Sequence, residues 1–108
     1  METNLTGWTE QEQAVGLTAL NRAQARTIER LIADLHRQVI ELTSADQIWQ
    51  LHDFLSIQRH GIEGRFEFRQ ESILFVFASL VKEGFLNLDE LQGLDSEKLA
   101  KIMAMSRF

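Results

Sequence analysis

The 108-residue chain contains neither cysteine nor proline. Without cysteine there is no disulfide, no thiolate zinc site and no cysteine nucleophile. Without proline, no residue interrupts a helix by losing its amide or clashing with the preceding turn. Glycine is sparse, at six residues. No apolar run approaches the ~20 residues that span a bilayer. Positive charge is in deficit: 11 Lys and Arg against 16 Asp and Glu leave a net charge of −5. That balance argues against a nucleic-acid binder, which usually carries a basic surface. Met1 to Gly7 has neither the basic flank nor the apolar stretch of a secretory signal, so a cytoplasmic location is expected. There is no glycine-rich phosphate loop and no Gly-x-Ser-x-Gly, so no enzyme is expected.

The chain is nonetheless globular in balance, with 44% hydrophobic and 25% charged residues. Abundant Leu, Gln, Glu and Ala point to an all-α fold. A core is possible at this length, but a small one, so burial by self-association would help. Residues 1–8 are expected to form a flexible tail. Residues 9–108 form a single helical domain.

Thr9-Glu10-Gln11-Glu12 reads as a capping box that opens a helix running to about Leu42. Such a helix is roughly 50 Å long at 1.5 Å per residue, longer than so small a domain is wide. Ile28, Leu31, Ile32, Leu35, Val39 and Leu42 make a broad apolar stripe along its second half. Its first half is thinner, with Ala14, Leu17, Leu20 and Ala23. A helix this long cannot be covered by one small subunit, so the long helices are expected to pack across the two-fold axis of a dimer. Arg22, Arg26, Arg30 and Arg37 alternate with Glu29, Asp34 and Glu41 and read as a solvated face with pairing along the helix.

Thr43 or Ser44 caps a second helix to about His60, and Gly61 and Gly64 bracket a turn. A third helix is expected from about Arg65 to Glu83, ending at Gly84. Asn87 caps a short helix, and Asp95 caps a last one to about Met105 that buries Leu99, Ile102 and Met103. Residues 9–62 thus form a stalk of two helices, and residues 65–108 a small helical head. Phe66, Phe68, Phe75 and Phe77 are expected mostly in the core.

The second helix carries the candidate site. At 100° per residue, Ile48, Leu51, Leu55 and Ile62 fall on one side as a core stripe. Trp49, His52, Asp53, Ser56, Arg59 and His60 fall on the other. A tryptophan on a polar face has two explanations. It packs against the long helix or across a dimer seam, while His52, Asp53 and Arg59 satisfy one another. Otherwise the face docks a partner, with Trp49 as apolar anchor and Asp53 and Arg59 as directional contacts. His52 beside Asp53 does not make a metal pair, because adjacent helical residues diverge by about 100° and neither His36 nor His60 stands one turn away. No metal or cofactor is expected.

The run DQIWQLHDFLSIQRHGIEGRFEFRQESILFVFASLVKEG, Asp46 to Gly84, resembles the fluorescence recovery protein family of cyanobacteria. The resemblance is carried by W-x-L-H-D-F-L-S-x-x-R-H at Trp49 to His60, then Arg69-Gln70, Phe75-Val76-Phe77-Ala78 and Lys82-Glu83-Gly84. Met1 to Gln24 carries little of the pattern. The resemblance implies a homodimer without cofactor or catalytic centre. It implies binding to the photoactivated red form of the orange carotenoid protein, mainly through that protein's C-terminal domain. It further implies faster reversion of the partner to its orange form, its release from the phycobilisome, recovery of antenna fluorescence, and a place on the cytosolic side of thylakoids. Family positions fall here on Trp49, His52, Asp53 and Arg59. A second contact region falls on Phe75 and Lys101, and the implied dimer seam includes Ile48 with the apolar stripe of the long helix. The alternative is a helical dimeric adaptor or transcription regulator docking another partner through the Trp49 face.

Overall fold

A computed structural model describes residues 7–108 of the chain. The described residues form four α-helices and one 3₁₀ turn, within extents of 53 × 31 × 19 Å. The helices are α1 (Glu10–Ile40), α2 (Ala45–Ile62), α3 (Ile73–Glu83) and α4 (Ser96–Ser106), and the 3₁₀ turn is Leu88–Leu91. The all-α expectation holds. The expected capping box opens α1: the Thr9 hydroxyl accepts from the Glu12 amide at 3.0 Å, and the Glu12 carboxylate accepts from the Thr9 amide at 3.0 Å. Ser44 caps α2 and Asp95 caps α4 in the same way, each side chain accepting from the third helical amide. With α1 of 31 residues and α2 of 18, α2 doubles back along the second half of α1. Leu51 shares a cleft with Gln38 near the tip, and Gln58 and Ile62 share one with Leu31 and Asp34 further down.

The core lies at the other end. Ala19, Leu20 and Ala23 of α1 are buried with Ile73, Phe77 and Leu80 of α3, Leu91, Leu94 and Ile102. The first half of α1 therefore belongs to the head, and the expected division at residues 62–65 cuts the wrong way through it. Small side chains are the cause, because they let α1 come close. A Cβ at Gly16 would lie 2.8 Å from the Phe68 ring. No residue of α2 is fully buried.

Three further expectations are corrected. The third helix begins at Ile73, not near Arg65. Gly64, at φ 77°, turns the chain out of the helical path. Phe66 and Phe68 then pack against the core, and Arg65 reaches back to Glu83 and Ser79. Trp8 is not part of a loose tail. It is buried, with its ring edge-on to Phe68 at 5.0 Å and under the Lys98 ammonium at 4.9 Å. Residues 1–6 of that expected tail lie outside the described residues. Met103 is exposed, and only Ile102 of the predicted α4 core is fully buried.

Charged groups tie the head to α1. Glu12, almost fully buried, also accepts from the Asp95 amide at 2.9 Å and from Lys98 at 3.1 Å. Burial alone would raise its carboxyl, but the Thr9 and Asp95 amides and Lys98 outweigh that and hold it below its ordinary value. Arg22 and Arg26 do not pair along their own helix as expected. The 3₁₀ turn brings Glu90 to them, and Arg26 grips it with two hydrogen bonds of 2.7 Å while donating to the Phe85 carbonyl at 3.1 Å. Those bonds, outweighing burial, bring the Glu90 carboxyl down to about 2.

A carboxyl that titrates lower in the folded chain than in the unfolded one stabilises the fold fully above its unfolded pKa. That contribution is lost as pH falls through the folded value. The Glu90 clasp should thus be complete above about pH 5 and vanish toward pH 2, taking on the order of 2 kcal/mol with it. Urea unfolding of wild type and Glu90→Gln should differ at neutral pH and converge in acid. Parallel curves at every pH would show that Glu90 contributes nothing through its charge.

Candidate functional site

All six polar-face residues of α2 are solvent-exposed. They stand there because the inner stripe of α2, Leu51, Phe54, Leu55 and Ile62, turns toward α1 and is half-buried. Ile48, expected with that stripe, is instead 47% exposed at its margin. Trp49 is 63% exposed, so it does not pack on its own long helix. That outcome removes packing on the long helix and leaves the face open to a dimer seam or to another partner.

The polar residues satisfy one another only in part. His52 Nδ1 lies 3.4 Å from Asp53 Oδ1, a long contact between exposed groups. Because a carboxylate only accepts, the imidazole donates from Nδ1. His60 lies 3.8 Å from Glu63 rather than facing the patch. Arg59 has no hydrogen bond or ion pair through its guanidinium among the described residues. His52, Ser56 and Arg59 surround a shallow depression of about 250 Å³ whose apolar wall is Leu55. The structure therefore brings His52 and Arg59 together and sets Trp49 and Asp53 on the outward ridge beside them. An exposed pair such as His52–Asp53 adds little stability. The unpaired Arg59 fork suits a planar acidic acceptor on another molecule.

The second candidate region lies in the head. Phe75 on α3 is 66% exposed, the exception among the four phenylalanines expected in the core. Phe77 is fully buried, and Phe66 and Phe68 pack against the core. Lys101 is exposed on α4, the helix that packs on α3. Of the expected seam, Ile28, Ile32, Val39 and Ile48 are exposed, and Leu31 and Leu35 are half-buried against α2. Sequence reasoning missed Ile57, 68% exposed on α2. The signal was available: at 100° per residue Ile57 falls well off the inner stripe. No helix is long and apolar enough to cross a membrane, and no three His, Asp or Glu side chains gather as metal ligands among the described residues.

Trp49→Ala and Arg59→Ala remove exposed side chains with no internal partner, so each should change unfolding free energy by less than about 0.5 kcal/mol. Thermal melts of the two variants test this. A large drop in melting temperature would assign these residues to the fold and not to binding.

Residues 8–106 match the family model for the photoprotection regulator fluorescence recovery protein. The Fluorescence recovery protein of Synechocystis sp. is 37% identical over 107 residues, covering 99% of this chain and 98% of the relative. The solved Fluorescence Recovery Protein of Fremyella diplosiphon superposes with a TM-score of 0.87 at 42% identity, over 94% of this chain and 99% of that one. The Synechocystis structure matches with the same score and coverage at 39% identity.

Proposed function

This chain belongs to the fluorescence recovery protein family, and we propose that it binds the photoactivated red form of the orange carotenoid protein. In this reading it engages mainly the partner's C-terminal domain, speeds reversion to the orange form and promotes release from the phycobilisome. Its place is the cytosolic side of the thylakoids. It works as a non-enzymatic regulator without cofactor. The observation that carries the reading is the α2 surface. A tryptophan stands in solvent on the same helix face as a guanidinium that has no partner among the described residues, at the positions where the family resemblance places its contacts. Such anchors dominate binding energies because they combine large apolar area with directional charge.

The exposed stripe Ile28, Ile32 and Val39, with Ile48, supports a homodimer. Leu31 and Leu35 lie beneath it. A two-fold axis would pair each stripe with itself and present two Trp49 faces. Phe75 and Lys101 on the head serve as a second contact. To speed a relaxation, a partner must favour the transition state over the red state. A rigid helical scaffold touching both separated domains does this by raising their effective concentration.

The test is the dark red-to-orange reversion rate of photoactivated orange carotenoid protein, with and without this chain. Acceleration is expected for wild type. Trp49→Ala and Arg59→Ala should weaken binding by roughly 30-fold or more, as hot-spot residues do. No acceleration by a folded wild-type dimer would instead leave a helical adaptor docking another partner. Separately, Ile32→Glu places a charge in the proposed seam, and sedimentation velocity should then show monomers. A wild-type-like dimer in that variant would move the seam elsewhere.

A further inference from the structure

A cleft of about 310 Å³ opens where α1 and α2 meet the head. Its apolar lining includes Leu31, Ile62 and Phe85, and Ile57 stands in solvent at its margin. Gly61 opens the wall of α2, since a Cβ there would meet no atom within 4 Å. Two acids and two bases also line the cleft, and their partners are unequal. Asp34 is paired at 3.2 Å with Arg37, which does not line the cleft. Glu83 is paired with Arg65 at 2.6 Å and accepts from the Ser79 hydroxyl at 2.9 Å. Arg30 has no acid among the described residues. Its guanidinium sits 5.7 Å from the centroid of the Phe85 ring, which holds it at the cleft without neutralising it. The cleft is thus an apolar trough with one uncompensated cation.

The cleft is continuous with the Trp49 face. Trp49, Asp53, Ile57 and Gly61 follow at four-residue spacing, so they form one ridge down α2, about 18 Å long at 1.5 Å per residue. All four are exposed. A segment lying on Trp49 and running along the ridge would arrive at Ile57 and then at Arg30.

From this geometry we infer that the cleft is a second docking site, which receives an acidic, apolar segment of the same partner protein, its carboxylate on Arg30 and its aliphatic side chain against Ile57. The inference rests on the proposed binding of the orange carotenoid protein. Free carboxylate and guanidinium in a half-open cleft attract one another, and salt screens that attraction. The apolar contact does not screen.

The experiment measures the affinity of full-length wild type, Arg30→Glu and Ile57→Ser for the photoactivated orange carotenoid protein, at low and high salt. Both side chains are exposed, so both variants should fold. Arg30→Glu should bind roughly five- to tenfold more weakly at low salt, with a deficit that shrinks at high salt. Ile57→Ser should lose a comparable factor at both. A zero-length carbodiimide crosslinker applied to Arg30→Lys should join position 30 to an Asp or Glu of the partner. Wild-type affinity in both variants, while Trp49→Ala remains impaired, would overturn the cleft and spare the Trp49 face. Crosslinks from position 30 only to Asp34, or to a second copy of this chain, would also overturn it. If wild type itself fails to bind, the functional reading falls and the cleft falls with it.

Discussion

At Gly16 the backbone of α1 approaches the Phe68 ring so closely that a methyl group there would sit 2.8 Å from it. Ala19 and Ala23 continue the same close approach, one and two turns along. This run of small residues is what lets a short head wrap the beginning of a long helix. Once α1 is gripped at that end, its second half must project beyond the core, because a helix of 31 residues is about 46 Å long and does not bend without a breaker. The stalk is therefore a consequence of where α1 is held. The exposed apolar stripe and the α2 surface follow from the stalk.

Carboxylates play opposite parts at the two ends. In the head, Glu12, Glu83 and Glu90 each receive several donors, from amides, hydroxyls and cations. Each has its carboxyl held below its ordinary value. These groups join segments far apart in sequence, such as Arg26 with Glu90 and Glu12 with Lys98. On the stalk Asp34 pairs with Arg37, but several charges are left open. Among the described residues Arg59 and Arg30 have no acid of their own, and Asp53 has only an exposed imidazole. Satisfied charges give the head one arrangement, whereas the stalk keeps unsatisfied charges on the same surface as exposed Trp49 and Ile57.

Much of this was legible from local chemistry. The absence of proline and the Thr9–Glu12 capping box define α1 within two residues at its far end, because both are local effects. The polar face of α2 was legible because a helix converts spacing directly into direction. Phe75 is different. Composition groups it with three other core phenylalanines, while the family resemblance assigns it to a contact; it stands in solvent because two residues on a helix put it about 200° from buried Phe77. The segment from Arg65 to Ser72 reads as helix because its residues form helices well enough alone. Its actual path is set by contacts with Trp8, Gly16 and Glu83, all remote in sequence.

The sequence by itself determined the helical class, the caps, the bearing of Trp49 and Arg59 on one exposed side of α2, and the family motif from Asp46 to Gly84. These depend on neighbours within a few residues. Tertiary structure alone decided that Trp8 is core, that Arg22 and Arg26 turn to Glu90, that the head claims half of α1, and that a cleft opens beside Arg30. Those outcomes depend on which surfaces meet after the chain folds back on itself, and a spacing of 3.6 residues carries no record of that.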